Sequence, residues 1–330
     1  MPHSCLSLTA IHQPNTGGYE VTALTLKRLA LTAIGLMAAF PGAAMAQDAG
    51  ATLIQEGGYA HDGQLGLQRS VTPIMDSIVA FHDGVLMWTI TAIVLLVLAL
   101  LVIVVVRFNA KANPVPSRFT HNTVVEVVWT VVPIIILIVI AVPSFGVLAD
   151  QITVPDGERK YLGSNIFSFG EVEVPAPEVT VKATGEQWFW TYEYVDQGLF
   201  FDSYMLNEEA RLAEEVVQPR LLAVDNELVV PVGTTVRLQV TAAPTGVIHA
   251  FALPSFGIKI DAVPGRLNET WFNAEETGMF YGQCSELCGK DHAFMPIAIR
   301  VVEREEYDAF IAAFENGSYD DAQATLVAAR

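Results

Sequence analysis

Two apolar runs constrain this chain more than any other feature. Val85–Val106 carries no charged residue and stops at Arg107, and Val124–Ala149 carries one acid, Glu126, near its start. At about 1.5 Å rise per residue, each is long enough to cross a hydrocarbon core of about 30 Å. Their uninterrupted length argues against a buried helical hairpin of a soluble protein. Pro133 and Pro143 in the second run are tolerated in membrane helices, where neighbouring groups satisfy the freed backbone.

A third apolar stretch, Leu29–Phe40, is too short to span and is broken by Pro41 and Gly42. It follows Lys27 and Arg28 and precedes Ala44-Met45-Ala46, the order of an export signal with its cleavage site. The mature chain is expected to start at Gln47. Residues 1–26 are unlike any signal, so the translation start is expected further along. The connector 107–123 holds Arg107, Lys111 and Arg118 and no acid, which places it in the cytoplasm. Both flanks then lie outside, in agreement with a cleaved leader.

The outer part is acidic. The whole chain has a formal net charge of -18, and nearly all of it lies beyond Asp150. Such a field attracts a basic partner and speeds encounter, by an amount that falls with salt. It repels phosphates, so nucleic acid is disfavoured. Ordinary solubility would need no more than this charge either.

Beyond Asp150 the pattern turns to β. Val236, Leu238 and Val240 alternate with Arg237, Gln239 and Thr241. Similar short runs lie at Val179–Ala183, Gln187–Tyr194, Val247–Leu253, Glu269–Phe272, Met279–Gln283 and Ile297–Val302, punctuated by Gly and Pro. Many short strands between turns predict a sandwich or barrel. Residues 207–217 and 303–315 read as helices, the first an insertion between strands. The expected plan is a leader at 1–46, an outer N-terminal segment at 47–84, spans at 85–106 and 124–149 joined by the loop 107–123, a β domain at 150–316 and a tail at 317–330.

The chemistry-bearing segment is Cys284-Ser-Glu-Leu-Cys-Gly-Lys-Asp-His-Ala-Phe-Met295. Once a leader has removed Cys5, Cys284 and Cys288 are the two cysteines left, and outside the cytoplasm a disulfide is their default reading. The alternative is a metal. Thiolate and thioether favour copper, and imidazole suits it. A mononuclear blue-copper site needs one Cys, two His and a weak axial Met, so one thiolate here is surplus. Two bridging thiolates can instead hold two coppers that share one electron. His249, in Val247-Ile248-His249-Ala250-Phe251, is the candidate second imidazole; alone it would read as a core histidine. Zinc seldom recruits Met. A disulfide stays conceivable in the metal-free chain, but leaves the spacing of His292 and Met295 unexplained.

Cys284–Met295 together with His249 resembles the dinuclear copper (CuA) centre of cytochrome c oxidase subunit 2. The resemblance runs from about Ser70 to Phe310. It implies an N-terminal two-helix transmembrane hairpin plus an all-β, cupredoxin-like Greek-key barrel, in a bacterial inner membrane with the barrel in the periplasm. It implies that Cys284 and Cys288 bridge both coppers and that His249 and His292 each cap one. Met295 would be axial to one copper and the Glu286 backbone carbonyl to the other. The Glu286 side chain would reach a magnesium or manganese ion shared with subunit 1, a hard ion that suits a carboxylate. In Gly185–Tyr194, Trp188 matches the tryptophan through which electrons arrive from cytochrome c. Glu193, Asp196 and Asp225 match acids of the cytochrome docking face. The chain departs from many relatives at Gly246, where an acid commonly precedes the copper-binding histidine by three residues. Glu126 matches the mouth of a proton pathway into subunit 1, and an ionisable group at membrane depth invites a functional reading.

The implied function is to accept electrons from cytochrome c and pass them to haem in subunit 1. There oxygen is reduced to water, coupled to proton translocation. The implied partners are subunit 1, subunit 3, cytochrome c and the lipid bilayer. Three rivals share parts of this pattern. A quinol oxidase subunit 2 would lack the copper ligands. Nitrous oxide reductase needs a large propeller and no paired membrane helices. A membrane-anchored copper chaperone with a Cys-x-x-x-Cys pair would show a βαβ pattern and no need for Met295. The chain has no Cys-x-x-Cys-His, so no covalent haem is expected within it.

Overall fold

The computed structural model describes residues 58–328 except 116, 164, 168, 169 and 215. The expected leader, with Lys27, Arg28 and Gln47, lies outside the described residues.

Helix α1, Pro73–Arg107, starts well before the first apolar run. Thr72 caps it by accepting from the Met75 amide at 3.1 Å, and Pro73 sits where no amide is needed. Ile74 and Met75 are buried, Ile74 in a small cluster with Tyr161, Val174 and Trp271. A π-helical stretch, Ala80–Leu86, then leads into the apolar part, Met87–Arg107. The difference from the sequence reading is physical. The first turns of α1 pack on protein and need only a narrow apolar stripe, whereas hydropathy over a long window finds the lipid-facing part alone.

Helix α2, Thr123–Ile152, is capped by Asn122, whose side chain accepts from the Val124 and Val125 amides. The apolar side chains of both helices, Leu95, Leu101, Ile135 and Leu137 among them, are exposed, as helices facing hydrocarbon must be. The far end of α2 is riveted to the globular part. Trp271 Nε1 donates to the Asp150 carbonyl at 2.8 Å, Thr270 Oγ1 to the Gln151 carbonyl at 2.7 Å, and Gln151 Nε2 to the Gly257 carbonyl at 2.6 Å.

A short hairpin of β1 (Lys160–Tyr161) and β2 (Val172–Glu173) follows. Ten strands then form two five-stranded sheets. The first has the order β10-β7-β3-β4-β5 and the second β6-β12-β11-β8-β9. Their bounds are β3 Val179–Glu186, β4 Phe189–Tyr194, β5 Leu199–Ser203, β6 Leu228–Pro231, β7 Thr235–Ala242, β8 His249–Leu253, β9 Ile258–Ala262, β10 Asn268–Asn273, β11 Gly278–Cys284 and β12 Pro296–Val302. The β3–β7 and β6–β12 pairs are parallel and the other pairings antiparallel, the mixed pairing of a cupredoxin-like Greek-key barrel. The alternation read from the sequence holds: Val236, Leu238 and Val240 are buried in one core with Val179, Val181, Phe251 and Ile299. Strand β8 starts at His249 rather than Val247, because Val247 and Ile248 belong to the exposed turn after Pro244.

The insertion helix is α3, Glu208–Ala213, shorter than read, and α4 is Arg304–Asn316. The expected tail at 317–330 contains a further helix, α5, Tyr319–Ala328. Tyr319, Ala322 and Leu326 enter the main core, and Tyr319 Oη donates to the Glu227 carbonyl at 2.6 Å. Three apolar positions over so short a segment are too weak a period to separate a docked helix from a polar tail.

Candidate metal site

Three strands bring the chemical groups to one end of the barrel. β8 starts with His249, β11 ends with Cys284, and β12 begins directly after Met295. The loop between β11 and β12 carries Cys288 and a 3-10 turn, His292–Phe294. Its ends are pinned by the Cys284 amide, which donates to the Met295 carbonyl at 3.4 Å, and the Ser285 amide, which donates to the Ala250 carbonyl at 3.1 Å. Gly289 adopts φ 126°, and a Cβ there would lie 2.8 Å from Trp188 Cζ2. Both facts call for glycine.

The donor atoms converge. Cys284 Sγ lies 3.8 Å from Cys288 Sγ and 3.8 Å from His249 Nδ1. Cys288 Sγ lies 3.5 Å from His292 Nδ1 and 3.6 Å from Met295 Sδ. The Glu286 carbonyl is 3.4 Å from Cys284 Sγ, while the Glu286 side chain points to solvent. The sulfur separation excludes a disulfide, whose bond is about 2.05 Å, so the default reading of the two cysteines does not hold here. The ligand atoms of His249, Cys284 and Cys288 all fall within 4.8 Å of one another, a cluster able to hold a metal ion.

The electrostatics suit a cation. Burial pushes the Cys288 thiol up to about 12, and the neighbouring Cys284 adds to the shift. Burial also lowers the pKa of His249, helped by His292, so its imidazole stays neutral. His249 is fully buried, and its Nε2 has no hydrogen-bond partner among the described residues. Two thiols, a thioether and two imidazoles are a donor set that fits copper.

Sequence reasoning missed the supports of this cluster. Trp190 is buried, donates from Nε1 to the Met295 carbonyl at 3.4 Å and meets the His249 ring edge-on at 6.1 Å. Gly185 lies under that ring, and a Cβ there would come within 2.9 Å of His249 Cδ2 and Cγ. A glycine inside an alternating strand is the signal that was available. Gly185→Ala is expected to tilt His249 and weaken copper binding roughly tenfold or more, as loss of an orienting contact does, while the barrel stays folded. Calorimetric titration of the metal-free full-length chain checks this; unchanged affinity would mean that the ring has slack.

The remaining sequence candidates are placed as follows. Trp188 is half-buried, and its Nε1 donates to the Cys288 carbonyl at 3.1 Å. Trp190 points into the core, whereas Phe189 lies on the outer face and stacks on Tyr204 at 4.4 Å. Glu193 pairs with Lys182 at 3.0 Å, Asp196 accepts from the Thr180 amide at 3.2 Å, and Asp225 accepts from the Tyr204 amide at 2.7 Å. Burial raises the Asp225 pKa. Glu126 lies far along the chain in the first turn of α2, where its carboxylate accepts from the Asn122 amide at 3.1 Å. At Gly246 an added Cβ would sit 3.2 Å from the Ala243 Cβ, in a turn closed by the Gly246 amide on the Ala243 carbonyl at 2.9 Å.

Comparison with known proteins follows the same two-part division. Residues 60–147 match the family described as cytochrome c oxidase subunit II, transmembrane domain, and residues 179–302 match cytochrome c oxidase subunit II, periplasmic domain. A probable cytochrome c oxidase subunit 2 of Rickettsia bellii is 47% identical over 250 residues, covering 76% of this chain and 83% of that protein. The cytochrome c oxidase subunit 2 of Cereibacter sphaeroides is 42% identical over 311 residues, covering 90% of this chain and 93% of its own length. The crystal structure of the periplasmic domain of subunit II of cytochrome oxidase from Bradyrhizobium japonicum is 60% identical, covers 42% of this chain and 94% of that one, and superposes with a TM-score of 0.37.

Proposed function

The chain belongs to the cytochrome c oxidase subunit II family, and from that premise we propose that it is the electron-accepting subunit of a cytochrome c oxidase. It is a membrane-spanning subunit that works beside other oxidase subunits. In this reading Cys284, Cys288, His249, His292, Met295 and the Glu286 carbonyl would together hold two copper ions. Bound there, the copper pair supplies a one-electron couple. The observation that carries the reading is the pair of buried thiols 3.8 Å apart, each with an imidazole Nδ1 within 3.8 Å. A copper chaperone must release its metal, and a buried site with its loop pinned at both ends is poorly built for that.

The residues of the chain do the rest. The outer face of the barrel receives reduced cytochrome c, steered by the acidic field. Glu193, Asp196 and Asp225 are proposed as docking acids. Each already has a partner within the chain, so they would act through the field more than through direct bridges. The Trp188 ring joins the surface to the Cys288 carbonyl through one hydrogen bond and is the proposed point of electron intake. Electrons pass on to haem in subunit 1, where oxygen is reduced to water with proton translocation. Glu126 is proposed as a proton-pathway mouth. The outward Glu286 carboxylate is proposed to meet a magnesium or manganese ion at that interface. The leader is proposed to be cleaved, and the barrel to face the periplasm of a bacterial inner membrane.

Stopped-flow mixing of the complete oxidase with reduced cytochrome c tests the intake point. Trp188→Phe, which removes the indole hydrogen bond, is expected to slow electron uptake roughly tenfold, equivalent to about 1.4 kcal/mol, with the salt dependence of encounter retained. An unchanged rate would place intake elsewhere.

A further inference from the structure

A cavity of about 810 Å³ lies where the second membrane helix meets the globular part. Its wall has two chemically distinct halves. Val142 and Gly146 of α2, with Leu162 and Phe167 of the following loop, form an apolar half; Val142 is 67% exposed and Phe167 60% exposed. Arg159 and Lys160 form the other half. Asp150, also in the wall, is buried and already accepts from Arg159 at 2.8 Å and from the Leu162 amide at 2.8 Å. Lys160 pairs with Glu173 at 2.9 Å, but both side chains are more than half exposed, and such a pair holds its cation weakly.

The depth of the cavity gives these halves a meaning. Counted from Val124, a hydrocarbon core of about 30 Å is crossed in about 20 residues, which ends near Pro143. The apolar half therefore begins at acyl-chain depth, and the two cations sit at the level of the headgroups. Arg159 and Lys160 each keep part of the side chain exposed beside its paired acid, at the membrane face of a domain that is otherwise strongly acidic and would repel anionic lipid.

We propose that this groove binds one anionic phospholipid of the leaflet on the globular-domain side, with its phosphate at Arg159 and Lys160 and an acyl chain along Val142, Gly146 and Phe167. The proposal rests on the two helices spanning the bilayer and is independent of the metal reading. A soluble anion would leave the apolar half of the groove wet.

The test uses the complete oxidase, exchanged into nanodiscs with equal parts of phosphatidylglycerol and phosphatidylcholine, washed and measured by native mass spectrometry. The unaltered protein is expected to keep one more phosphatidylglycerol than either the Arg159→Gln/Lys160→Gln variant, which loses the phosphate contacts, or Val142→Trp, which fills the exposed groove without touching the ion pairs. An unchanged haem spectrum shows that each variant is assembled. Three results overturn the proposal: equal phosphatidylglycerol counts in all proteins, equal retention of the two lipids, or labelling of a neighbouring subunit rather than lipid by a photoreactive probe on Phe167→Cys.

Discussion

Cys288→Ser is expected to cost the site its metal and the oxidase its activity. Cys288 Sγ touches three other donors: Cys284 Sγ at 3.8 Å, His292 Nδ1 at 3.5 Å and Met295 Sδ at 3.6 Å. Cys284 Sγ is the matching hub of the other half, against Cys288 Sγ, His249 Nδ1 and the Glu286 carbonyl. A serine hydroxyl is a hard, weakly acidic ligand that cannot supply a soft thiolate to copper. Because Cys288 links one half of the cluster to the other, its loss should leave at most one copper per chain. Turnover of cytochrome c should fall by at least about 100-fold, the upper range for disturbing even the supports of a metal site. The barrel should survive, since Cys288 sits in a loop and serine is close in size. Copper analysis and turnover of the assembled variant check this. Two retained coppers would remove Cys288 from the ligand set.

Glu227→Gln is expected to give the largest loss of stability. Glu227 is 2% exposed and forms an ion pair with Arg300, whose side chain is 15% exposed. Its other carboxylate oxygen accepts from Gln218 Nε2 at 3.2 Å, and Gln218 in turn accepts from Tyr281 Oη at 3.4 Å. Arg300 is on β12, the strand that follows Met295, and the Glu227 carbonyl receives Tyr319 of α5. Removing the carboxylate leaves a buried guanidinium without a counter-charge, at a cost of about 3–5 kcal/mol. Replacing both partners, Glu227→Leu with Arg300→Met, should recover most of that loss, because no charge is then stranded. Urea unfolding of the full-length chain in detergent checks both. A loss under about 1 kcal/mol for Glu227→Gln would mean that water reaches Arg300.

The parts of the molecule legible in the sequence are those whose physics is local. Val236, Leu238 and Val240 face the core because a strand alternates, and the lipid-facing parts of both helices stand out because nothing polar interrupts them. Cys284, Cys288, His292 and Met295 sit close together in the chain, so their chemistry could be read before any fold was known. His249 needed the fold, since only the pairing of β8 with β11 carries it to the loop. The supports of the site were hidden for the same reason. Gly185 and Trp190 act on His249 and Met295 across the barrel, with no local pattern to announce it. The Arg300–Glu227 pair joins residues far apart in the chain, and single charges in a strand read as surface. The first turns of α1 and the whole of α5 were misplaced because each docks through only a few side chains.

Copper content and electron spin resonance of the full-length chain, purified in detergent and reconstituted with copper, test the central claim most directly. The account predicts two coppers per chain and a single unpaired electron shared over two copper nuclei. One copper per chain, or a spin confined to one nucleus, would contradict it.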